Sequence, residues 1–140
     1  MHSPENNLQK HTLISIPSLD QLKEIAKRSN YLVDESLSPD SEFAFLNPKT
    51  KAGVAAMMTT DHSLISIDLY VNNDPTIVPF VSEVLNLYLL PVDNLAEDVT
   101  SSYNDRKEFE RHYDYYWVQY MPIEEDPEVV LIRYRRFVEE

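Results

Sequence analysis

The chain of 140 residues contains no cysteine and a single glycine, Gly53. Without thiols it has no disulfide, no cysteine-based zinc site, no thiol nucleophile and no redox switch. The shortage of glycine excludes more. The phosphate-cradling loops G-x-x-x-x-G-K-[ST] and G-x-G-x-x-G and the nucleophile elbow G-x-S-x-G each need several positions where only glycine lets the backbone turn sharply or approach a phosphate. Nucleotide-cradling enzymes of those families are ruled out. Long apolar runs are missing too: no segment approaches the ~18 apolar residues of a membrane span. The opening MHSPENNLQKHT lacks the apolar stretch of a secretion signal. A cytoplasmic location is the expectation.

Basic residues are absent from the middle third. No Lys or Arg occurs between Ala52 and Asp105, while Asp61, Asp68, Asp74, Glu83, Asp93, Glu97, Asp98 and Asp105 fall inside. The whole chain has 24 acidic against 12 basic residues, a formal net charge of −12. Such a field repels nucleic acid and anionic lipid and steers a basic protein toward it. Acidity also serves solubility alone, and net charge by itself does not separate the two.

A chain of this length buries roughly 68% of its unfolded surface, enough for the core of one domain. A single domain over 1–140 is expected, with the polar residues 1–11 disordered. The strongest local pattern lies between Leu64 and Leu90. Ile65, Ile67, Leu69 and Val71 alternate with Ser66, Asp68 and Tyr70, as in a strand with one buried face. Asn72 to Pro75 end it, with Asp74 suited to cap the next helix and Pro75 to its first turn. Ile77, Val81, Val84, Leu85 and Tyr88 recur at helical spacing, and Phe80, Leu87 and Leu89 widen that stripe. Pro79 pushes the helix start toward itself, and Pro91 ends it.

Upstream, Thr12 to Ile16 reads as a short strand. Ser18 with Gln21 fits a capping box before an amphipathic helix from Leu19 to Ser29. Short strands follow at Tyr31–Val33, Phe43–Leu46 and Val54–Thr59, separated by turn chemistry, and with the strand from Leu64 they make an antiparallel meander. Downstream, Asn94 with Glu97 suggests a helical turn inside Asp93–Ser102. Arg106 to Arg111 favours a helix and Tyr113 to Met121, rich in aromatics, a strand. The final strand runs from Glu128 to Val138, with Val130, Ile132 and Tyr134 on one face. The expected class is α+β, a mostly antiparallel sheet of about five strands with two or three helices packed on one face.

Three strands between two helices is an order similar to that of the small acidic chaperones of type III secretion. Those chaperones end in a helix where this chain ends in a strand, and no residue motif accompanies the likeness. Fold-level likeness of this kind implies, at most, a dimer that holds a client segment.

Few residues suggest chemistry. Glu108 and His112 would sit four apart on a helix, a spacing that lets two ligands meet one metal, yet two ligands do not make a site, and Lys107 and Arg111 beside them fit an exposed ion-paired helix. Asp61 and His62 fall in a turn, where Asp supports the turn with its own side chain. No metal, cofactor or catalytic residue is expected. The aromatic cluster Tyr113, Tyr115, Tyr116, Trp117 and Tyr120 is unusual. Most of these aromatics are expected to form the thick part of the core, with their hydroxyls reaching the surface. The alternative is that strand alternation turns Tyr113, Tyr115 and Trp117 outside as rigid binding anchors while Tyr116, Val118 and Tyr120 pack inward. Arg133, Arg135 and Arg136 are expected to pair with neighbouring Glu side chains.

Three functions compete. The first is an acidic protein-protein interaction module, in its most concrete form an inhibitor or immunity protein docked on a basic, nucleic-acid-acting enzyme. Its binding residues would be Asp61, Asp68, Asp93, Glu97 and Asp98 with Tyr113, Tyr115 and Trp117. It would touch neither nucleic acid nor membrane directly. The second is a homodimeric chaperone or adaptor that holds an extended client segment. The third is a small enzyme using paired carboxylates such as Asp61 and Asp68.

Overall fold

Alternating apolar side chains, in register from strand to strand, give the sheet one buried face. The computed structural model describes residues 14–61, 64–72, 77–113 and 115–137. Its elements are α1 (Leu19–Arg28), β1 (Leu32–Val33), β2 (Glu42–Leu46), β3 (Gly53–Asp61), β4 (Leu64–Asn72), α2 (Ile77–Leu87), α3 (Leu95–Asp105), β5 (Phe109–His112), β6 (Trp117–Pro122) and β7 (Val129–Phe137). The strands form one antiparallel sheet in the order β1-β2-β3-β4-β7-β6-β5. Two meanders thus meet along β4 and β7, and the chain between them carries α2 and α3.

The α+β class and the antiparallel sheet are as the periodicity indicates, but the sheet has seven strands rather than about five. Across its centre one inward row reads Phe43, Ala56, Leu69, Ile132 and Tyr120, and all five are buried. The helices contribute to the same core: Leu22, Ile25 and Ala26 from α1, Ile77, Phe80, Val81, Val84 and Leu85 from α2, Leu95 and Val99 from α3. Phe80 stacks on Tyr31 at 4.1 Å and meets Phe45 edge-on at 4.9 Å. Truncating a buried leucine here, such as Leu85→Ala, costs about 2–5 kcal/mol.

Helix ends follow the chemistry of the residues at them. Ser18 and Gln21 close the reciprocal capping box expected at the start of α1. Asn30 takes the left-handed conformation after α1, where Asn is tolerated. Asn94 stands at the start of α3, but its side chain makes no cap and donates instead to the Tyr113 hydroxyl at 3.2 Å. The helix itself runs to Asp105, well past a single turn.

The expectation of a helix over Arg106 to Arg111 is corrected. Arg106 adopts a left-handed φ of 51° and ends α3, and Phe109–His112 forms β5 on the edge of the sheet. Six residues make too short a helix to repay its nucleation, whereas Phe109 in the strand stacks on Tyr120 at 5.1 Å. The strand expected over Tyr113 to Met121 is confined to Trp117–Pro122, because the amide of Tyr113 bonds the carbonyl of Tyr116 across the corner between β5 and β6. Ile14 to Ile16 is not a strand. Thr12, residues 1–11 and the turn from Asn73 to Pro75 lie outside the described residues. Among the described residues no helix is long and apolar enough to cross a membrane.

Candidate functional site

A recess that gathers several candidate side chains lies where the link from α2 to α3 faces the corner between β5 and β6. It is a groove of about 600 Å³, walled by Leu89, Pro91 and Asp93 on one side and by His112, Tyr113, Tyr115 and Tyr116 on the other. Hydrogen bonds tie the two walls together. Asn94 reaches the Tyr113 hydroxyl, and the Tyr134 hydroxyl donates to the Pro91 carbonyl at 2.7 Å.

Local geometry explains why Leu89 is exposed. After α2 the amide of Leu90 bonds the carbonyl of Leu85 and the amide of Leu89 that of Asn86, the paired hydrogen bonds of a Schellman motif. Leu89 therefore occupies the left-handed position, φ 59°, where glycine is usual. Its side chain is 60% exposed, whereas the flanking Tyr88 and Leu90 are buried. The sequence pattern had counted Leu89 into the covered stripe of the helix. The helix has already ended there, and the left-handed residue turns its side chain out.

On the opposite wall the amide of Tyr113 bonds the carbonyl of Tyr116 at 2.7 Å and closes the corner. Alternation then divides the aromatics. Tyr116, Val118 and Tyr120 are buried, Tyr115 is 49% exposed, and Tyr113 and Trp117 are half-buried. Burial pushes the phenols of Tyr116, Tyr120 and Tyr134 above the usual tyrosine range.

The remaining candidate residues are dispersed. Asp93 is exposed in the groove and Glu97 is exposed on the first turn of α3, each without a hydrogen bond or ion pair to any described residue. Asp98, by contrast, is 2% exposed and takes two hydrogen bonds from Arg111, at 2.7 and 2.8 Å. That bond raises the guanidinium of Arg111 above its usual range. Asp68 lies on the other face of the sheet in a two-point bond with Arg133. Asp61 pairs in register with Leu64, four residues along β4 from Asp68, which separates the two backbones by about 13 Å. The two carboxylate positions therefore do not form a dyad, and the Asp61 side chain is outside the described residues.

Trp117 also lies away from the groove wall, on the outer sheet face. Its indole nitrogen donates to Glu110 at 2.6 Å, and its ring stacks on His112 at 5.9 Å and meets the Arg135 guanidinium at 5.8 Å. The indole bond, with His112 adding to it, holds the Glu110 carboxyl below its usual range. The helical spacing that suggested Glu108 with His112 as metal ligands is lost in the strand. Among the described residues no three His, Asp or Glu side chains gather as a metal-holding group.

The three C-terminal arginines were expected to pair with Glu. Among the described residues only Arg133 meets a carboxylate, and it is Asp68. Arg136 continues the inward parity of Val130, Ile132 and Tyr134, a signal the strand pattern already contained. It is 4% exposed and lies over the rings of Tyr115 and Tyr116, at 5.6 and 6.0 Å. No family model, curated protein or solved structure matches the chain.

Proposed function

We propose that this chain is an acidic protein-protein interaction module that receives a basic segment of its partner in the groove between the α2–α3 link and the β5–β6 corner. One observation carries the reading: the carboxylate of Asp93, without a partner among the described residues, stands beside the exposed side chains of Leu89 and Tyr115. Apolar and aromatic anchors supply contact area at low entropy cost, and a free carboxylate at their edge fixes a Lys or Arg. Glu97, one turn into α3, extends the negative edge. In this reading the helices are packed on one face of the sheet and hold the α2–α3 wall rigid, as docking without rearrangement requires. The concrete form is an inhibitor or immunity protein on a basic, nucleic-acid-acting enzyme, working in the cytoplasm, where a chain without cysteine is at no disadvantage.

The test uses a fluorescent oligolysine peptide followed by anisotropy over a series of salt concentrations. Binding is expected to weaken steeply with salt, several-fold with Asp93→Asn and Glu97→Gln together, and again with Tyr115→Ala, which leaves the charge unchanged. Equal affinity for wild type and Tyr115→Ala would reduce the interaction to bulk charge and sink the groove as the docking site.

A second reading has its own support. On the outer sheet face Leu32 lies directly opposite Leu46, and Met57 and Tyr70 are exposed in the neighbouring rows. An apolar sheet face of this kind suits a homodimeric chaperone or adaptor. Sedimentation of wild type and Met57→Glu decides it: a dimer lost in the variant favours this reading, and a monomer throughout removes it.

A further inference from the structure

Behind the groove, two buried polar groups stand together with no carboxylate beside them among the described residues. Arg136 is 4% exposed and its Nη1 hydrogen-bonds no described residue; Tyr116 is 7% exposed, and its hydroxyl interacts with the Arg136 guanidinium. Arg136 makes no ion pair among the described residues, in a chain with twice as many acids as bases. Its neighbours across the ladder are apolar, with Ile65 opposite on β4. Its guanidinium rests on the rings of Tyr115 and Tyr116, which also form one wall of the groove.

A guanidinium removed from water needs more than ring contacts. Aromatic faces offset part of the lost hydration but accept none of its N–H bonds, and a buried charge is ordinarily retained only with a counter-ion. Shape narrows the choice of anion. The planar fork of an arginine presents parallel donors that match a carboxylate. Charge narrows it further, because the field of a chain at −12 penalises a dianion such as phosphate more than a monoanion.

We propose that Arg136 and Tyr116 form a carboxylate-binding site opening on the groove, in which the Arg136 fork and the Tyr116 hydroxyl donate to one carboxylate and Tyr115 covers it. The carboxylate belongs either to a small organic acid or to the C-terminus of a peptide, and both present the same group. This site does not depend on the docking of a basic segment at Asp93. It also adds something to that picture, since a basic peptide laid in the groove can place its terminal carboxylate on Arg136 while a lysine meets Asp93.

The experiment is a titration with acetate at neutral pH, holding ionic strength constant with chloride, and reading the Arg136 Nε–Hε resonance and the melting temperature. A saturable displacement of that resonance and a rise in melting temperature are expected, absent with acetamide. Arg136→Met should weaken the acetate response at least about tenfold and Arg136→Lys less, since the charge remains without the fork; Tyr116→Phe should weaken it about threefold. Should Arg136→Met not fold, Arg136→Lys and Tyr116→Phe decide the matter alone. A short peptide with a free C-terminus, compared with its amide, separates the two sources. The proposal is overturned if acetate shifts wild type no more than chloride does, if the variants respond as wild type, or if inorganic phosphate binds more tightly than acetate. Loss of oligolysine binding in Asp93→Asn with an unchanged acetate response separates this site from the basic-segment reading.

Discussion

Asp68 and Arg133 face each other directly across β4 and β7, and Arg133 closes on both carboxylate oxygens at 2.8 and 3.1 Å. Both side chains are about one quarter exposed on the outer face of the sheet, so the pair is partly shielded from water. It joins the two meanders at their seam and uses up one of the carboxylates in the base-free middle third. Planar two-point bonds of this kind exceed the value of an ordinary surface ion pair.

Asp68→Asn is therefore expected to lower stability by about 1–2 kcal/mol. Urea unfolding of both single variants and of the double variant Asp68→Asn with Arg133→Gln would show a coupling. Strict additivity would mean that the seam is held by backbone pairing and the apolar face alone.

Asp98 ties α3 to β5 through Arg111. Because the carboxylate is buried and accepts two charge-assisted bonds, Asp98→Asn should cost about 2–3 kcal/mol. The loss is also expected to loosen the edge strand first. Amide exchange of Phe109 to His112 should speed up more than that of β4, and uniform acceleration would contradict this.

Alkaline pH should unfold the protein through its buried phenols. Tyr88, Tyr116, Tyr120 and Tyr134 all have their ionisation pushed upward, chiefly by burial. Unfolded, each releases its proton near pH 10, whereas the folded protein retains it. Their contribution to stability is thus complete below about pH 10 and is lost as the pH rises beyond it. Absorbance at the tyrosinate band, recorded beside circular dichroism, should show these four ionising together with unfolding. Full ionisation in a still-folded chain would refute the assignment.

Leu89→Gly should stabilise the protein by about 0.5–1 kcal/mol, since glycine suits the left-handed residue of a Schellman motif. The same change removes an anchor from the groove and should weaken oligolysine binding. A bulky, exposed side chain in a strained conformation is the kind of local cost that function explains. A variant that gains stability and keeps full binding would show that Leu89 is incidental.

How much of this was legible in the residues depends on range. The capping box at Ser18, the strand from Leu64 and the apolar face of α2 are written in periods of two and 3.6 and in single-residue turn chemistry, so the sequence alone determines them. The composition likewise excludes thiol chemistry and glycine-rich phosphate loops. What the tertiary structure decided is pairing. Edge strand β5 exists because β6 lies beside it, which no local preference of Arg106 to Arg111 reveals. Which acids stay free and which are neutralised depends on strand register and helix docking: Asp68 and Asp98 meet arginines 65 and 13 residues away, while Asp93 meets none among the described residues. Charge counted along a chain is a sum, but charge offered to a partner is what remains after the fold has brought opposite signs together.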